Sequence, residues 1–436
     1  MKKRLSILTC KSSSFLLKLV KRGGSLPGTL ASKVDSKILE KINTRAKIIL
    51  VTGTNGKTST ANMIASMLEA NGSKIISNRK GDNMKAGIIT SIVTEADLNG
   101  YVDVDYIVLE VDELNIPHVV NDLNVDAIVV TNFFRDQLDR AKEMELLISK
   151  VENSLVNFKG TLILNGNDPN VCRLKNKAKY ADALYYTMNE CSESVKESNE
   201  ASEGKFCPKC HSLLKYDYYQ YSHIGKFACI SCDFKTHSDV SGDVVNINNH
   251  EFKYQDQVFV APQAGFYTMY NCMAVLAVAY KYNISLDAVK TSFKNFVIPS
   301  GRNESFTLNG QDCIMNLIKN PTGANEVMKV IEADERDKDI LIVLNDAIQD
   351  GTDISWIYDT LFEKILNDHT KSIICSGARC YEMALRLKYS GYEENVIVIE
   401  NLEEACNEFA KKDNVKYAVA TYTALMPTRK NLLKNV

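Results

Sequence analysis

Apolar positions along the chain follow two patterns. Runs at residues 48–51, 74–77, 106–111, 127–130 and 161–164 read as strands, and several are continuously apolar, as expected of a parallel sheet covered on both faces. Between them apolar residues return three or four apart, as Met63, Ile64, Met67 and Leu68 do, which is the period of a helix laid on a sheet. Strand and helix in alternation predict an α/β domain with a parallel sheet. Residues 244–260 read as paired hairpins turning at Asn248-Asn249, and 269–282 as a helix apolar almost all round, hence buried. The alternation breaks near Pro299-Ser300-Gly301-Arg302 and restarts with strands at 313–317, 339–344, 372–375, 395–399 and 417–420. The pattern predicts two domains, 1–298 and 299–436, the second a smaller doubly wound α/β unit. One stretch fits neither pattern: 189–205 is rich in Ser and Glu and reads as a connector.

Composition narrows the partners. The 436 residues carry a net charge of −2, which gives no reason to expect nucleic acid. Met1-Lys2-Lys3-Arg4 is basic, but Lys11 and Lys18 cut the apolar stretch behind it, so a signal peptide is rejected and a cytoplasmic protein is expected. Phe15, Leu16, Leu17, Leu19 and Val20, set among lysines, predict a basic amphipathic helix. Packing on the core is its main reading, and a peripheral contact with the inner face of the plasma membrane its second. In such a compartment twelve cysteines point to thiols and metal rather than disulfides. Eight stand singly and read as small buried hydrophobes.

The other four stand in pairs. Cys207-Pro208-Lys209-Cys210 and Cys229-Ile230-Ser231-Cys232 are separated by eighteen residues, the spacing of a zinc ribbon. Four thiolates, Cys207, Cys210, Cys229 and Cys232, would close a tetrahedral Zn²⁺ site within an insert at 205–236. Without an open position the metal is expected to be structural. A ribbon that binds nucleic acid is the weaker reading, because few basic residues lie between the pairs.

The run at 48–51 leads into Thr52-Gly53-Thr54-Asn55-Gly56-Lys57-Thr58, and a helical pattern follows at 59–70. A glycine-containing loop between strand and helix suits the phosphates of ATP or GTP. Lys57 would reach the β- and γ-phosphates, and the Thr58 hydroxyl would sit on Mg²⁺. Val51 stands where the general P-loop has its first glycine. The run 106–111 ends among Glu110, Asp112 and Glu113. Acids at the C-terminal end of a parallel strand face the ligand crevice and can hold Mg²⁺. Farther on, residues 345–359 hold Asp350-Gly351-Thr352-Asp353 and the only Trp, Trp356. On the residues alone this is a capped turn before a helix starting near Trp356, with Asp353 or Ser355 as N-cap.

The form Gly53-Thr54-Asn55-Gly56-Lys57-Thr58 is narrower than a generic P-loop and resembles the loop of the Mur ligase superfamily, which includes folylpolyglutamate synthase. Thr131-Asn132 with Asp136, Leu138 and Asp139, then Leu164-Asn165 with Asp168-Pro169, then Tyr270-Asn271 and Gly301-Arg302, follow in the superfamily's order. The resemblance implies a central P-loop ATPase domain with the zinc ribbon inserted in it. It implies an enzyme that phosphorylates a carboxylate with ATP so that an amine can attack the acyl phosphate. It makes Glu110 a Mg²⁺ ligand, sets Asn271 near the adenine and brings Arg302 to the nucleotide. Two departures stand out. Only 52 residues precede Gly53, too few for the UDP-binding domain of the peptidoglycan ligases, and Asp-x-x-His-Asn-Pro is replaced by Asn316-Leu317-Ile318-Lys319-Asn320-Pro321. The carbamylated lysine of many members has no clear counterpart.

Taken with the ribbon and Asp350-Gly351-Thr352-Asp353-Ile354-Ser355-Trp356-Ile357, these motifs resemble the MurT family, from Gly24-Ser25-Leu26-Pro27-Gly28 to Tyr422-Thr423. Its members are synthetase subunits of the lipid II isoglutaminyl synthases of Gram-positive bacteria. The resemblance implies ATP-dependent amidation of the α-carboxylate of D-glutamate in lipid II, at the membrane surface. Ammonia would come from a GatD-type glutaminase partner, and Asp353 would complete that partner's Cys–His–Asp triad. The chain has no Gly-x-Cys-x-Gly nucleophile elbow of its own. The alternative is a stand-alone Mur- or folylpolyglutamate-type ligase that adds an amino acid.

Overall fold

The computed structural model describes residues 1–19, 24–79, 82–135, 144–198, 200, 203–298, 301–392 and 396–435. The described residues fall into two compact units. The first comprises Met1–Phe133, Glu145–Ser198 and Gly204–Phe296; the second comprises Phe134–Met144, Asn199–Glu203 and Val297–Val436.

In the first unit, helices α1 (Lys2–Leu19) and α2 (Leu26–Val34) precede a nine-stranded sheet. Its strands are β1 (Lys47–Thr52), β2 (Ile75–Ser77), β3 (Tyr106–Glu110), β4 (Ala127–Val130), β5 (Thr161–Asn165), β6 (Asp182–Met188), β9 (Val240–Asn246), β10 (Glu251–Tyr254) and β11 (Gln257–Val260). The ribbon hairpin β7 (Leu214–Tyr221) and β8 (Ile224–Cys229) forms a separate two-stranded sheet. The sheet order is β11-β10-β9-β6-β5-β4-β1-β3-β2. It is parallel from β2 to β9 and antiparallel through the last two strands. β1 is an interior strand, third from one edge, and every residue after Lys47 is buried. That is why its sequence is an unbroken apolar run rather than an alternation. β6 is not among the runs read as strands from the sequence, and its burial starts only at Tyr186.

Helix α3 (Lys57–Ala70) follows β1 directly, and α5 (Phe266–Tyr282) packs against α3 and strands β5, β6 and β9. Residues 268–279 of α5 are all buried, as their apolar pattern predicts, but the expected burial stops there: Tyr280 is exposed, and Asn283 ends the helix in the left-handed region at φ 53°. Helix α6 (Leu286–Lys294) is tied to α3 by the Ser292 hydroxyl, which donates to the Met63 carbonyl at 2.9 Å. On the N-terminal side, α1, α2 and α4 (Lys85–Val93) pack together. The crossing of α2 with α4 demands a glycine, since a Cβ on Gly28 would lie 1.9 Å from the Ala86 carbonyl oxygen. Helix α1 buries Ser6, Ile7 and Cys10, but Phe15, Leu16 and Leu19 are exposed. Packing on the core, the main expectation for that stretch, therefore fails for these three; Val20 lies outside the described residues.

The second unit is a six-stranded sheet built from β12 (Arg302–Leu308), β13 (Gln311–Leu317), β14 (Lys338–Val343), β15 (Thr370–Ser376), β16 (Val396–Val398) and β17 (Val415–Ala420). The order is β12-β13-β17-β14-β15-β16, parallel except for β12. Helices cover both faces. α7 (Pro321–Glu332) and α8 (Cys380–Tyr389) bury Met328, Ile331, Met383 and Leu387 on one side. α9 (Leu402–Ala410) and α10 (Tyr422–Leu432) bury Phe409, Ala424 and Leu432 on the other. The edge strand β12 is not evident in the sequence because only Leu308 of its seven residues is buried, which leaves no apolar run. The strand expected from Asn395 is seen from Val396; Asn395 lies outside the described residues, as do Pro299 and Ser300. Where a helix is expected near Trp356, the chain makes only a short 3₁₀ turn, Ser355–Tyr358.

The connector at 189–205 is partly bound to the ribbon, with Val195 pairing to Tyr219; Asn199, Ala201 and Ser202 lie outside the described residues. Among the described residues no helix is long and apolar enough to cross a membrane.

Candidate nucleotide site and metal centre

The phosphate loop forms where β1 ends between β3 and β4. Val51 lies opposite Glu110 of β3, and Thr52 opposite Val130 of β4. The chain leaves the sheet at Gly53, whose φ of 123° an L side chain rarely adopts. A Cβ there would also sit 2.3 Å from Thr131 Oγ1. Gly56 enters α3 at φ 84°, and its missing Cβ makes room for Asn271, whose Oδ1 would be 2.3 Å away. Both glycines are thus fixed by conformation and by space. Asn271, from the middle of the chain, lies against the loop.

Thr131-Asn132 clamps the loop. The Thr54 N–H donates to the Asn132 carbonyl at 2.8 Å, and the Asn55 N–H to Asn132 Oδ1 at 2.9 Å. The Asn55 carbonyl in turn accepts from Thr131 Oγ1 at 2.7 Å and Asn132 Nδ2 at 3.1 Å. Through these bonds the Thr-Asn motif holds the loop's backbone in one shape. Asp136, Leu138 and Asp139 of the same motif lie outside the described residues. Residues 55–58 stay partly accessible above this buried base, with the α3 N-terminus behind them. An anion there meets the backbone N–H groups of the helix start and the positive end of the helix.

Lys57 folds back over the loop. Its Nζ donates to the Gly53 carbonyl at 2.5 Å and pairs with Glu113 Oε1 at 3.2 Å. The pair is nearly buried. Glu113 belongs to a short 3₁₀ turn capped by Asp112, which accepts from the Leu114 N–H at 3.1 Å. Glu110, two residues before that cap, is almost fully buried at the end of β3. Asn83 Nδ2 donates to its Oε1 at 2.9 Å, and the Asn78 side chain exchanges two bonds with its backbone at 2.8 Å. The structure therefore brings Gly53, Thr54, Asn55, Gly56, Lys57, Thr58 and Asn271 together, with Glu110 beside the strand that feeds the loop. Glu113, Asn78 and Asn83 are additions. Glu113 stands in the acidic run, but only the fold shows that it faces Lys57.

The Leu164–Pro169 motif is structural here. Asp168 caps a short helix through the Asn170 N–H at 2.8 Å and accepts from the Phe133 N–H at 3.0 Å. Arg302 lies in the second unit, at the start of β12 opposite Asn316. Gly301 before it has φ 73°, and its N–H donates to Glu304 at 2.7 Å. Lys319-Asn320-Pro321 leads into α7, whose N-cap Asn320 accepts from the Gly323 N–H at 2.8 Å.

The Asp-Gly segment follows β14. Asp350 is buried and accepts from the Thr423 N–H at 2.7 Å, which pins one end of the loop to α10. Gly351 turns the chain at φ 88°. Asp353 is exposed; the Ser355 N–H donates to it at 2.8 Å and holds its carboxyl below the ordinary value. The carboxylate is thereby oriented and kept ionised.

The four paired cysteines converge. Their sulfurs all lie within 4.8 Å of one another, with Cys210–Cys229 at 3.4 Å and Cys207–Cys232 at 3.6 Å. A tetrahedral thiolate site with ordinary metal–sulfur bonds needs sulfurs about 3.8 Å apart. Backbone N–H groups of Lys209 and Ser231 donate to Cys207 and Cys229 Sγ at 3.4 and 3.3 Å, the bonds that turn each pair into a knuckle. His211 takes the left-handed conformation at φ 62° just after the first knuckle. The donor set fits a metal ion. Cys207 is buried against Cys172, Leu214, Phe227 and Phe234, so the knuckles cap a small apolar core.

Comparison with known proteins agrees with this architecture. A family model for the Mur ligase middle domain matches residues 51–279, and one for the MurT ligase C-terminal region matches 317–425. The chain is 34% identical to the lipid II isoglutaminyl synthase (glutamine-hydrolyzing) subunit MurT of Staphylococcus aureus, over 94% of this chain and 93% of that one. It is 30% identical to the MurT subunit of Streptococcus pneumoniae, over 99% and 97%. Among solved structures, a pseudomurein peptide ligase type C from Methanothermus fervidus shares the fold with a TM-score of 0.72 at 21% identity, over 93% of this chain and 83% of that one. A folylpolyglutamate synthase from Thermotoga maritima shares it at 0.60 and 15%, over 96% and 97%. A clamped phosphate loop, four converging thiols and likeness along nearly the whole length lead to one conclusion: the chain belongs to the MurT family of Mur-type ligases.

Proposed function

We propose that the chain is the synthetase subunit of an amidating ligase acting on lipid II. It uses ATP to phosphorylate the α-carboxylate of the D-glutamate residue. Ammonia then attacks the acyl phosphate, a C–N bond forms, and inorganic phosphate leaves. The observation that carries this reading is the preset loop, in which Lys57 is already held over Gly53 between β3 and β4. Lys57 leaves the Gly53 carbonyl for the β- and γ-phosphate oxygens and offsets charge as the phosphoryl group transfers. Gly53, Thr54, Asn55 and Gly56 shape the backbone around the phosphates. Thr58 and Glu110 are the residues suited to hold Mg²⁺, which would neutralise phosphate charge when bound. Asn271 lines the nucleotide side of the loop, and Arg302 is assigned to the nucleotide. Residues 1–298 thus supply the phosphate loop, and 299–436 supply Arg302 and the ammonia side.

The four thiols hold structural zinc in this reading. Zinc suits an all-sulfur tetrahedral set, and the closed set leaves no position for substrate. Asp353, exposed and ionised on its loop, serves a glutaminase partner by orienting that partner's catalytic histidine.

The test is ADP release with ATP, Mg²⁺ and lipid II, offering ammonium or glutamine, with and without a glutaminase subunit. Release with ammonium alone, and with glutamine only when the partner is present, is expected. Asp353→Ala should remove at least about nine-tenths of the glutamine-driven rate and spare the ammonium-driven one, given the weight of triad members. Release that instead needs an amino acid would overturn the amidation reading.

A further inference from the structure

Helix α1 has two faces with different fates. Ser6, Ile7 and Cys10 turn inward, and the Ser6 hydroxyl donates to the Ala31 carbonyl of α2 at 2.8 Å. On the other side Leu5, Leu8, Phe15, Leu16 and Leu19 stand in water, 55%, 46%, 64%, 62% and 66% exposed. Their spacing of three, seven, one and three residues keeps them on one stripe of the helix, about 100° wide. Exposed leucines scattered singly need no explanation, but five large apolar side chains along one helix face do.

The charges beside the stripe say what covers it. On one border, at helical spacing of seven residues, stand Arg4, Lys11 and Lys18; Lys2 stands on the other. Residues 1–34 contain eight Lys or Arg and no acid, whereas the whole chain carries a net charge of −2. The positive charge is therefore concentrated at this end of the chain. Arg4 and Lys11 are held in place by Asn99 Oδ1 at 2.9 Å and the Thr94 carbonyl at 2.9 Å, so neutral groups position them and leave their charge uncancelled. A second copy of the chain would set cations against cations here. A surface that is apolar inside and anionic outside matches both features at once.

We propose that the outer face of α1 docks the protein on an anionic lipid bilayer. The helix lies in the plane of the headgroups. Phe15, Leu16 and Leu19 enter the acyl boundary, and the flanking lysines and arginines meet lipid phosphates. The docking stands on the geometry of α1 alone. Its use, bringing the loop to a substrate that itself resides in the bilayer, rests on the amidation reading above.

The experiment is co-sedimentation of the full chain with phosphatidylcholine vesicles, with and without one-third phosphatidylglycerol, at low and high salt. The comparison is a Phe15→Gln, Leu16→Gln, Leu19→Gln variant. These side chains are exposed, so the variant should keep the wild-type melting temperature, and that is checked first. Binding to the anionic vesicles that falls at least tenfold in the variant, and falls with salt, is the expected result. No binding by the wild-type chain, or equal binding by the variant, overturns the proposal. A concentration-dependent dimer that the variant abolishes also overturns it, by assigning the face to a second copy. Amidation of lipid II dispersed in detergent should be equal in both proteins. Its failure in both would sink the amidation reading while leaving vesicle binding to stand or fall separately.

Discussion

Lys57 must hold a positive charge in a partly buried loop before any phosphate arrives. The protein solves this with the Gly53 carbonyl and the carboxylate of Glu113, both within hydrogen-bond reach. Lys57→Ala should lower ADP release by roughly a thousandfold or more, the scale at which a preorganised charge acts on a transferring phosphoryl group. Glu113→Gln should leave the ammonium with weaker partners. The expected cost is about 1.5–3 kcal/mol in chemical denaturation, the range for a bond to a charged group. Equal stability of this variant would show that the carbonyls alone suffice. The loop's own residues were legible because phosphate binding demands particular types at particular spacing. Glu113 was not, since an ion pair spanning 56 residues leaves no mark on local pattern.

Elements were readable where burial is one-sided or complete. β1, β3, β4 and β5 are apolar runs, and the structure places them side by side in the sheet. β6 and β12 escape a reading of the sequence because each is only partly buried, which dilutes the period that betrays a strand. The ribbon is the opposite case. The spacing of its cysteines announced it, while its hairpin is tyrosine-rich. The hairpin is sewn to the first unit by Asn167 Nδ2, which donates to the Gly225 carbonyl at 3.1 Å, and by the Tyr218 hydroxyl, which donates to the Met188 carbonyl at 2.8 Å. Metal removal should therefore loosen the knuckles without detaching the hairpin. A chelator, or Cys229→Ser, should lower the melting temperature by about 3 °C or more and release one equivalent of zinc. An unchanged melting temperature, or no zinc in the purified protein, would remove the metal assignment.

At the scale of the whole molecule, stability follows pH through groups that pair only after folding. Glu304 accepts from the Gly301 N–H and from Arg429 Nη2 at 2.6 Å, joining the start of β12 to α10. The bond from Arg429, opposed by partial burial, holds its carboxyl below the ordinary glutamate value. A lowered folded value means stability that is present above the unfolded value, about 4.3, and lost as pH falls through the folded one. Glu304→Gln should cost about 1–3 kcal/mol near neutrality. The gap from wild type should close as pH drops below about 4. A gap that persists unchanged in acid would mean the variant acts through packing and not through the charge.

The chemistry-bearing motifs and the class of fold can be read from consecutive residues. Glycines at forced positive φ, a lysine at a helix start and paired cysteines are local demands, and local demands are written in consecutive residues. Tertiary structure alone decided which distant groups complete them. It set Thr131-Asn132 as the loop's clamp, Asn271 against Gly56 and Glu113 against Lys57, and it turned Phe15, Leu16 and Leu19 outward. Those outcomes depend on which strands become neighbours and on which helix face finds a partner first. Both are fixed by the packing of the whole chain, not by any stretch within it.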